Sequence, residues 1–479
     1  MADFTLIDAN SGSSLSAAAL EQTAEALVGT MKRAGAGVGD TVSLVIRDRF
    51  QLARWLMAGL LAEVTVNPIN PQLSHEEISA ILDAADTKLV ISDQPLRVGR
   101  PTVRPTDATF GGPDARQDRG PDAARRSLRG SLLIFTSGTT GKPKGVALMG
   151  DQLASNAAAA VEALSLESGW VTASVLPLFH TFTLVSDLLT MWLTRGICVV
   201  CPAFGAAELG VIGAAMRRYQ VRSYSGVPIV FKMLSRFGAP EDYVSLRFAV
   251  AGAAPLFEDT RLAYERLGHP VLPCYGLSET CCFVAISPPG AVVPGAVGKP
   301  SGIDVRIASD ETTDGSRWAP SSVRGEICVR GPSVLRQGYW KGEHGSQVYR
   351  DGYFRTGDLG FVDDEGYLHI TGRLKNMLNK GGEKLYLEDL DRVLSEAGFL
   401  RDFACVVTRC DEHEDQYACC VVVDGELTDD GRRDLRARIV SLFGAKAAPS
   451  RIVSLPEIPR SPTGKVQLLR LATMLEQVS

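Results

Sequence analysis

SLLIFTSGTTGKPKGV, residues Ser131–Val146, is the most informative stretch of this 479-residue chain. Ser131–Phe135 is a short apolar run, and it predicts a strand. Thr136–Gly145 then gathers three glycines, several hydroxyls and two lysines within ten residues. That composition suits a phosphate cradle, because glycine lets backbone amides approach closely, short hydroxyls donate, and lysine brings mobile positive charge. It is not a Walker loop, since the residue five after Gly138 is Pro143 and the pattern G-x-x-x-x-G-K-[ST] fails. Taken alone, a polar glycine loop is as often a plain surface turn. DQLASNAAAAVEAL follows with helical spacing, and Asp151 is its expected N-cap.

Outward from this point the chain alternates. LSAAALEQTAEALVGTMKRAG and FQLARWLMAGLLAEV have helical spacing, with the strand-like TVSLVI between them. Such alternation predicts an α/β layer architecture. Arg100–Gly130 is rich in Pro, Gly, Asp and Arg without periodicity and reads as an exposed connector. Alternation resumes to about Ala308, after which RGEICVRG and GYFRTGDLGFVDDEGYLHITGR suggest antiparallel strands and tight turns. The last hundred or so residues combine the helix LEDLDRVLSEAG, the strands ACVVT and YACCVVV, and a helix near Asp434–Phe443, as in a small α+β unit.

Composition narrows the function. Lys plus Arg number 50 against 55 Asp plus Glu, so the net charge of -5 offers no basic field for nucleic acid. The best candidate for a membrane span, LARWLMAGLLAEV, is cut by Arg54 and Glu63 and falls short of ~18 apolar residues. The stretch MADFTLIDANSG lacks a basic start and an apolar signal core, so a cytoplasmic location is expected. Ten cysteines in this length are too few for a disulfide scaffold. Cys198 and Cys201 form a C-x-x-C inside a strand-like run, where buried thiols are expected rather than a metal or redox site.

The string LLIFTSGTTGKPKGV closely resembles the signature of the adenylate-forming superfamily, which contains acyl-CoA synthetases, luciferases and peptide-synthetase adenylation domains. Seven further segments match that family's motifs in order: LPLFHTFTL (Leu176–Leu184), AGAAPL (Ala251–Leu256), YGLSET (Tyr275–Thr280), GEICVRGPSVLRQGYW (Gly325–Trp340), FRTGDLG (Phe354–Gly360), TGRLKNMLNKGGEKL (Thr371–Leu385) and PRSPTGKV (Pro459–Val466). The resemblance implies an α/β fold with a large N-terminal adenylating domain of several subdomains, residues 1–374. A small mobile C-terminal α+β lid, residues 375–479, completes it.

The resemblance also implies a set of site residues. Thr136, Ser137, Gly138, Thr139, Thr140 and Lys144 would hold the phosphates of ATP, and Tyr275 would offer its ring to adenine. Glu279, with Thr140, would take the magnesium that rides on those phosphates, and Thr280 lies beside them. Asp358 would accept from the ribose hydroxyls, and Arg373 would contact ribose or phosphate. Lys465 would bridge the attacking carboxylate and the α-phosphate and so stabilise the charge that builds between two anions. His180 would position the acid beside a pocket lined by Val227, Gly252, Ala253, Gly276 and Cys281, with Cys282 and Phe283 extending the wall. Lys375 would be the hinge of the lid, and Gly381 and Gly382 would line a tunnel for the pantetheine thiol.

The chain departs from the family pattern in places. Gly150 stands where relatives carry histidine, Leu387 where proline is common, and Asp389 and Asp391 where glutamates are usual. Glu414 and Asp415 replace a Gly-Glu pair in the lid, which bears on the second half-reaction more than the first. LPLFHTFTL lacks the aspartate that amino-acid activators use to hold an α-ammonium group, which makes an α-amino acid a poor substrate. The expected activity is an ATP- and Mg2+-dependent acid–thiol ligase: acyl-adenylate forms first, then a pantetheine thiol of CoA or an acyl carrier protein displaces AMP. The rival enzyme passes its acyl or adenylate group to a carrier protein or a non-thiol nucleophile. The rival of another class is an inactive nucleotide or acid sensor.

Overall fold

The computed structural model describes residues 3–106, 127–136, 144–254, 256, 258–308, 318–336, 338–342, 348–380, 383–409, 415–460 and 466–477. Two compact units divide the chain: Met1–Val305 with Val329–Phe354, and Arg306–Cys328 with Arg355–Ser479.

The first unit contains two mainly parallel sheets. In the six-stranded sheet the order is Thr102–Val103, Thr87–Ser92, Thr41–Val45, Thr65–Pro68, Ser131–Thr136 and Lys144–Met149, with only the last pair antiparallel. Val42, Leu44, Val66 and Leu89 are fully buried, as expected of strands covered on both faces by helices. The helix Arg49–Leu61 comes so close to this sheet that a Cβ at Gly59 would sit 2.8 Å from Val66 Cβ. Ser74 and Glu77 form a reciprocal capping box that starts the helix His75–Ala84.

The nine-stranded sheet has a parallel centre, running in order through Val271–Tyr275, Phe248–Ala251, Ser223–Gly226, Val171–Ser174, Ile197–Val200 and Thr5–Asp8. The strand ends carry the segments that matter chemically: Tyr275 opens the YGLSET turn, and Ala251 precedes Gly252 and Ala253. Ligands in open α/β sheets bind outside the carboxyl ends of the strands, so this placement is informative.

In the second unit, antiparallel pairing with Leu368–Arg373 sets Asp358 opposite Arg373. Its three-stranded sheet runs Leu400–Arg409, Gln416–Val423 and Arg451–Ser454. Tyr417, Cys419 and Val421 pack with Leu390, Leu394, Leu435 and Ile439 on one face, while Ala418 and Cys420 pack with Leu471 and Leu475 on the other. Both faces are covered, which explains why YACCVVV is a continuous apolar run rather than an alternating one. Helices lie at Leu387–Ser395, Asp429–Phe443 and Leu468–Gln477.

One element differs from the sequence reading, and one contact spans residue 374: Thr371 and Tyr386 are tied together within the second unit. The Arg324 guanidinium lies 3.7 Å from the Tyr386 ring centroid and donates to the Thr371 carbonyl at 3.0 Å. Asp151 is not an N-cap, because the helix Gly150–Ala163 starts directly from the preceding strand with Met149 as its cap residue. The Met149 N–H is satisfied by Gln152 Oε1 at 3.0 Å, and Asp151 instead pairs with Arg336 at 2.8 Å.

Candidate active site

Thr136 and Lys144 face each other across an antiparallel pair of strands. Next along the second strand, the Gly145 carbonyl accepts from the Trp340 backbone N–H at 2.7 Å. That bridge brings Tyr339 beside Lys144, whose Nζ lies 4.9 Å from the Tyr339 ring centroid. The Tyr339 hydroxyl in turn donates to Glu279 Oε1 at 2.8 Å. Burial and the neighbouring Glu279 carboxylate both push the Tyr339 phenol up, so it stays protonated and remains a donor. Tyr339 was not singled out from the sequence, although it sits in the quoted segment GEICVRGPSVLRQGYW.

The helix after the loop fastens this arrangement. Gln152 Nε2 donates to the Val334 carbonyl at 2.7 Å. Asn156 makes a two-way amide contact with Phe283, Nδ2 to its carbonyl at 2.8 Å and Oδ1 from its N–H at 2.9 Å. The Glu279 carbonyl accepts from the Leu335 N–H at 2.7 Å. Polar groups buried this way are costly to leave unpaired, so the helix fixes both the Glu279 turn and the segment carrying Tyr339.

The turn itself is tightly built. A Cβ at Gly276 would lie 1.4 Å from the Cys282 carbonyl oxygen, so glycine is required by space. Cys281 takes a left-handed conformation with φ 66° and donates its Sγ–H to the Ser333 carbonyl at 3.2 Å. Thr280 is fully buried and its hydroxyl is engaged with the Leu277 backbone, which assigns it to holding the turn. Tyr275 and Glu279 are half-buried.

His180 caps the short helix Thr181–Thr183, and a wide-turn helical segment, Leu184–Leu189, continues it. Its ring lies 4.7 Å from that of Phe179. Burial alone lowers the His180 pKa to about 4, so the imidazole is neutral near pH 7 and no charged neighbour contributes. Phe182 meets Phe283 edge to face at 6.0 Å. A Cβ at Gly252 would stand 2.9 Å from Cys274 Sγ and 3.0 Å from the Phe182 ring, so this wall is close-packed. Val227 is buried at the start of the helix Pro228–Phe237, and Ala253 adopts φ 68°.

Beyond this wall lies a buried polar network that the sequence reading missed. Asp187 is fully buried, accepts from Ser186 Oγ at 2.9 Å, and has its carboxyl pushed up to about 7 by burial. Ser186 also accepts from Ser225 Oγ at 2.9 Å. Arg49 donates to the carbonyls of Ser174 and Leu176 at 2.9 and 2.8 Å, and desolvation lowers its pKa to about 10. The available signal was one acidic residue inside the apolar run TFTLVSDLLTMWL.

In the second unit Arg373 Nε pairs with Asp358 Oδ1 at 2.7 Å, and the Asp358 side chain is almost wholly buried. Lys375 lies in the short turn Leu374–Asn376, where Asn376 Nδ2 donates to Glu388 Oε1 at 2.6 Å. Asp415 Oδ2 accepts from the Asn379 N–H at 2.7 Å.

A family model described as AMP-binding enzyme matches residues 2–340, well over half of the chain. The chain belongs to the AMP-binding enzyme family. It is 30% identical to an oxalate–CoA ligase of Arabidopsis thaliana over 94% of this chain and 90% of that protein. It is 34% identical to an indoleacetate–CoA ligase of Aromatoleum aromaticum over 72% of this chain and 68% of that protein. ATP-bound MatB from Rhodopseudomonas palustris has a TM-score of 0.86 and 27% identity, covering 99% of this chain and 96% of that one. The expected α/β adenylating fold is therefore the observed one. As an AMP-binding enzyme, the chain is an AMP-forming acid–thiol ligase that activates a carboxylic acid with ATP.

Among the expected site residues of this AMP-binding enzyme, Glu279 and Lys144 come together through Tyr339, and Asp358 pairs with Arg373. Ser137, Gly138, Thr139, Thr140, Gly381, Gly382, Glu414 and Lys465 lie outside the described residues. No group of three or more His, Cys, Asp and Glu ligands occurs among the described residues. No described helix is long and apolar enough to cross a membrane. Cys198 and Cys201 are buried free thiols.

Proposed function

We propose that this ligase makes an acyl-CoA from an acid with an uncharged aromatic or apolar body, using the residues assembled above. The observation carrying the catalytic assignment is the row Lys144, Tyr339, Glu279, in which one tyrosine contacts both a cation and a hard oxygen donor. Glu279 Oε2 accepts no hydrogen bond among the described residues, which fits a carboxylate that meets Mg2+ bound mostly by phosphates and water. Such an ion would neutralise charge on the phosphates. Thr140 joins Glu279 in that role. Thr136, Ser137, Gly138, Thr139 and Lys144 hold the phosphates, and Tyr275 and Thr280 border the nucleotide. Asp358 accepts from the ribose, with its charge oriented by Arg373.

In the first step a carboxylate oxygen bonds to the α-phosphorus, the bond to the bridging oxygen breaks, and pyrophosphate leaves. Lys465 stabilises that transition state by bridging the two anionic partners. In the second step the CoA sulfur bonds to the acyl carbon, and the acyl–oxygen bond to AMP breaks. Residues 375–479 act as the lid, Lys375 is its pivot, and Gly381 and Gly382 leave room for the pantetheine arm.

The acid class follows from the wall of Phe182, Phe283, Cys274, Gly252 and Val227 beside a neutral His180. None of these wall residues is a cation that would hold a second anionic group. The indoleacetate–CoA ligase similarity supports an aryl acid. Buried free thiols among the described residues, such as Cys198, Cys201, Cys281 and Cys282, favour a reducing compartment and hence the cytoplasm. The test is ATP–pyrophosphate exchange across benzoate, phenylacetate, cinnamate, hexanoate, malonate and oxalate, followed by CoA-dependent AMP release. Exchange confined to malonate and oxalate overturns the substrate reading, and exchange without release with CoA overturns the acceptor.

A further inference from the structure

The geometry points to Tyr339 as a positioning residue that orients Glu279 toward the metal and keeps Lys144 from neutralising it. This rests on the reading of Glu279 as the metal carboxylate. Three observations converge on it. The Tyr339 hydroxyl donates to Oε1 of Glu279 at 2.8 Å, while Oε2 accepts nothing among the described residues. A hydrogen bond to one carboxylate oxygen fixes the plane of the group and leaves the second oxygen as the one offered to a cation. The Lys144 ammonium lies 4.9 Å from the centroid of the same ring and makes no ion pair with Glu279. Holding the cation over its face while its hydroxyl holds Glu279, the ring keeps Lys144 on a quadrupole contact instead of a direct Lys144–Glu279 bridge. Such a bridge would occupy the very oxygen the metal needs.

The segment holding Tyr339 is itself fixed at two points outside the tyrosine. Trp340 donates its backbone N–H to Gly145 at 2.7 Å and its indole N–H to the Ala84 carbonyl at 3.1 Å. Removing the hydroxyl therefore changes the link to Glu279 without releasing the chain.

Mn2+ binding, read by electron paramagnetic resonance in the full-length protein with a saturating non-hydrolysable ATP analogue, tests the idea. Tyr339→Phe keeps the ring and loses the bond, and Mn2+ affinity should fall about tenfold, the scale of losing a partner behind a metal ligand. Tyr339→Leu loses bond and spacer together, and its loss should be larger than that of Tyr339→Phe. Analogue binding in EDTA should stay within about twofold for Tyr339→Phe, whose phosphate contacts are untouched. Wild-type Mn2+ affinity in Tyr339→Phe overturns the orienting role, and equal losses in the two variants overturn the spacer. Glu279→Gln serves as the reference. If it binds Mn2+ like wild type, the reading of Glu279 itself fails, whereas a loss there alone condemns only Tyr339.

Discussion

Asp358 and Arg373 face each other across the paired strands Tyr353–Val362 and Leu368–Arg373, joined Oδ1 to Nε at 2.7 Å. The carboxylate is almost wholly buried while the guanidinium is about one-third exposed, so the arginine reaches solvent and the aspartate is held behind it. Asp358→Asn keeps the shape but removes the charge that, in its proposed role, accepts from the ribose hydroxyls. A hydrogen bond to a charged group is worth about 1.5–3 kcal/mol, so the KM for ATP should rise by about tenfold or more. Steady-state exchange kinetics measure this, and an unchanged KM for ATP would refute the ribose role.

Lys375 occupies the turn Leu374–Asn376, clasped to the helix Leu387–Ser395 by the Asn376–Glu388 bond. Proline at 375 fixes φ there and drives Leu374 out of the helical region. If Lys375 is the pivot for the second step alone, Lys375→Pro should keep pyrophosphate exchange within about threefold while thioester formation falls at least about tenfold. Separate assays of the two half-reactions decide it; parallel losses, or none, rule out the hinge.

For Lys465 the discriminating measurement is also a split between steps. Lys465→Ala should lower adenylate formation by roughly two to three orders of magnitude, the effect of removing one preorganised charge-stabilising donor. Thioester formation from supplied acyl-adenylate should survive. Equal losses in both steps would assign Lys465 to folding or binding instead.

Much of this was legible in the sequence, for a physical reason. The strand before the phosphate loop, the helices and the α+β character of the C-terminal residues follow from local periodicity, and the motif residues are short contiguous strings. What stayed hidden depends on contacts between distant residues. Tyr339 and Glu279 are 60 positions apart, and Arg49 and the Ser174 carbonyl are 125 apart. No periodic pattern carries such a pairing. Asp151 shows a local rule failing for a local cause: the residue type suits an N-cap, but the strand runs straight into the helix and Gln152 satisfies the free N–H.

Asp187 gives a prediction in which the sign can be worked out. Its carboxyl is pushed up to about 7 from an ordinary value of 3.8, chiefly by complete burial and against the pull of its serine partners and Arg49. A raised folded-state value means the native protein holds the proton more tightly than the unfolded chain. The stabilisation is complete below about pH 4, is lost progressively as pH rises to about 7, and changes little above that. A shift of about three units corresponds to about 4 kcal/mol at 1.36 kcal/mol per unit. Asp187→Asn presents a neutral amide of the same shape and does not titrate. Relative to wild type, its unfolding free energy should rise by up to about 3 kcal/mol between pH 5 and pH 8.5, because about two of the three units of lost stabilisation fall between pH 5 and pH 7. Asp391, also raised to about 7, and His180, lowered to about 4, titrate in both proteins and cancel in the difference. Urea unfolding of the two proteins across this pH range provides the measurement. A difference that does not grow with pH would mean that Asp187 is already ionised at pH 5, with Arg49 and the serines outweighing its desolvation.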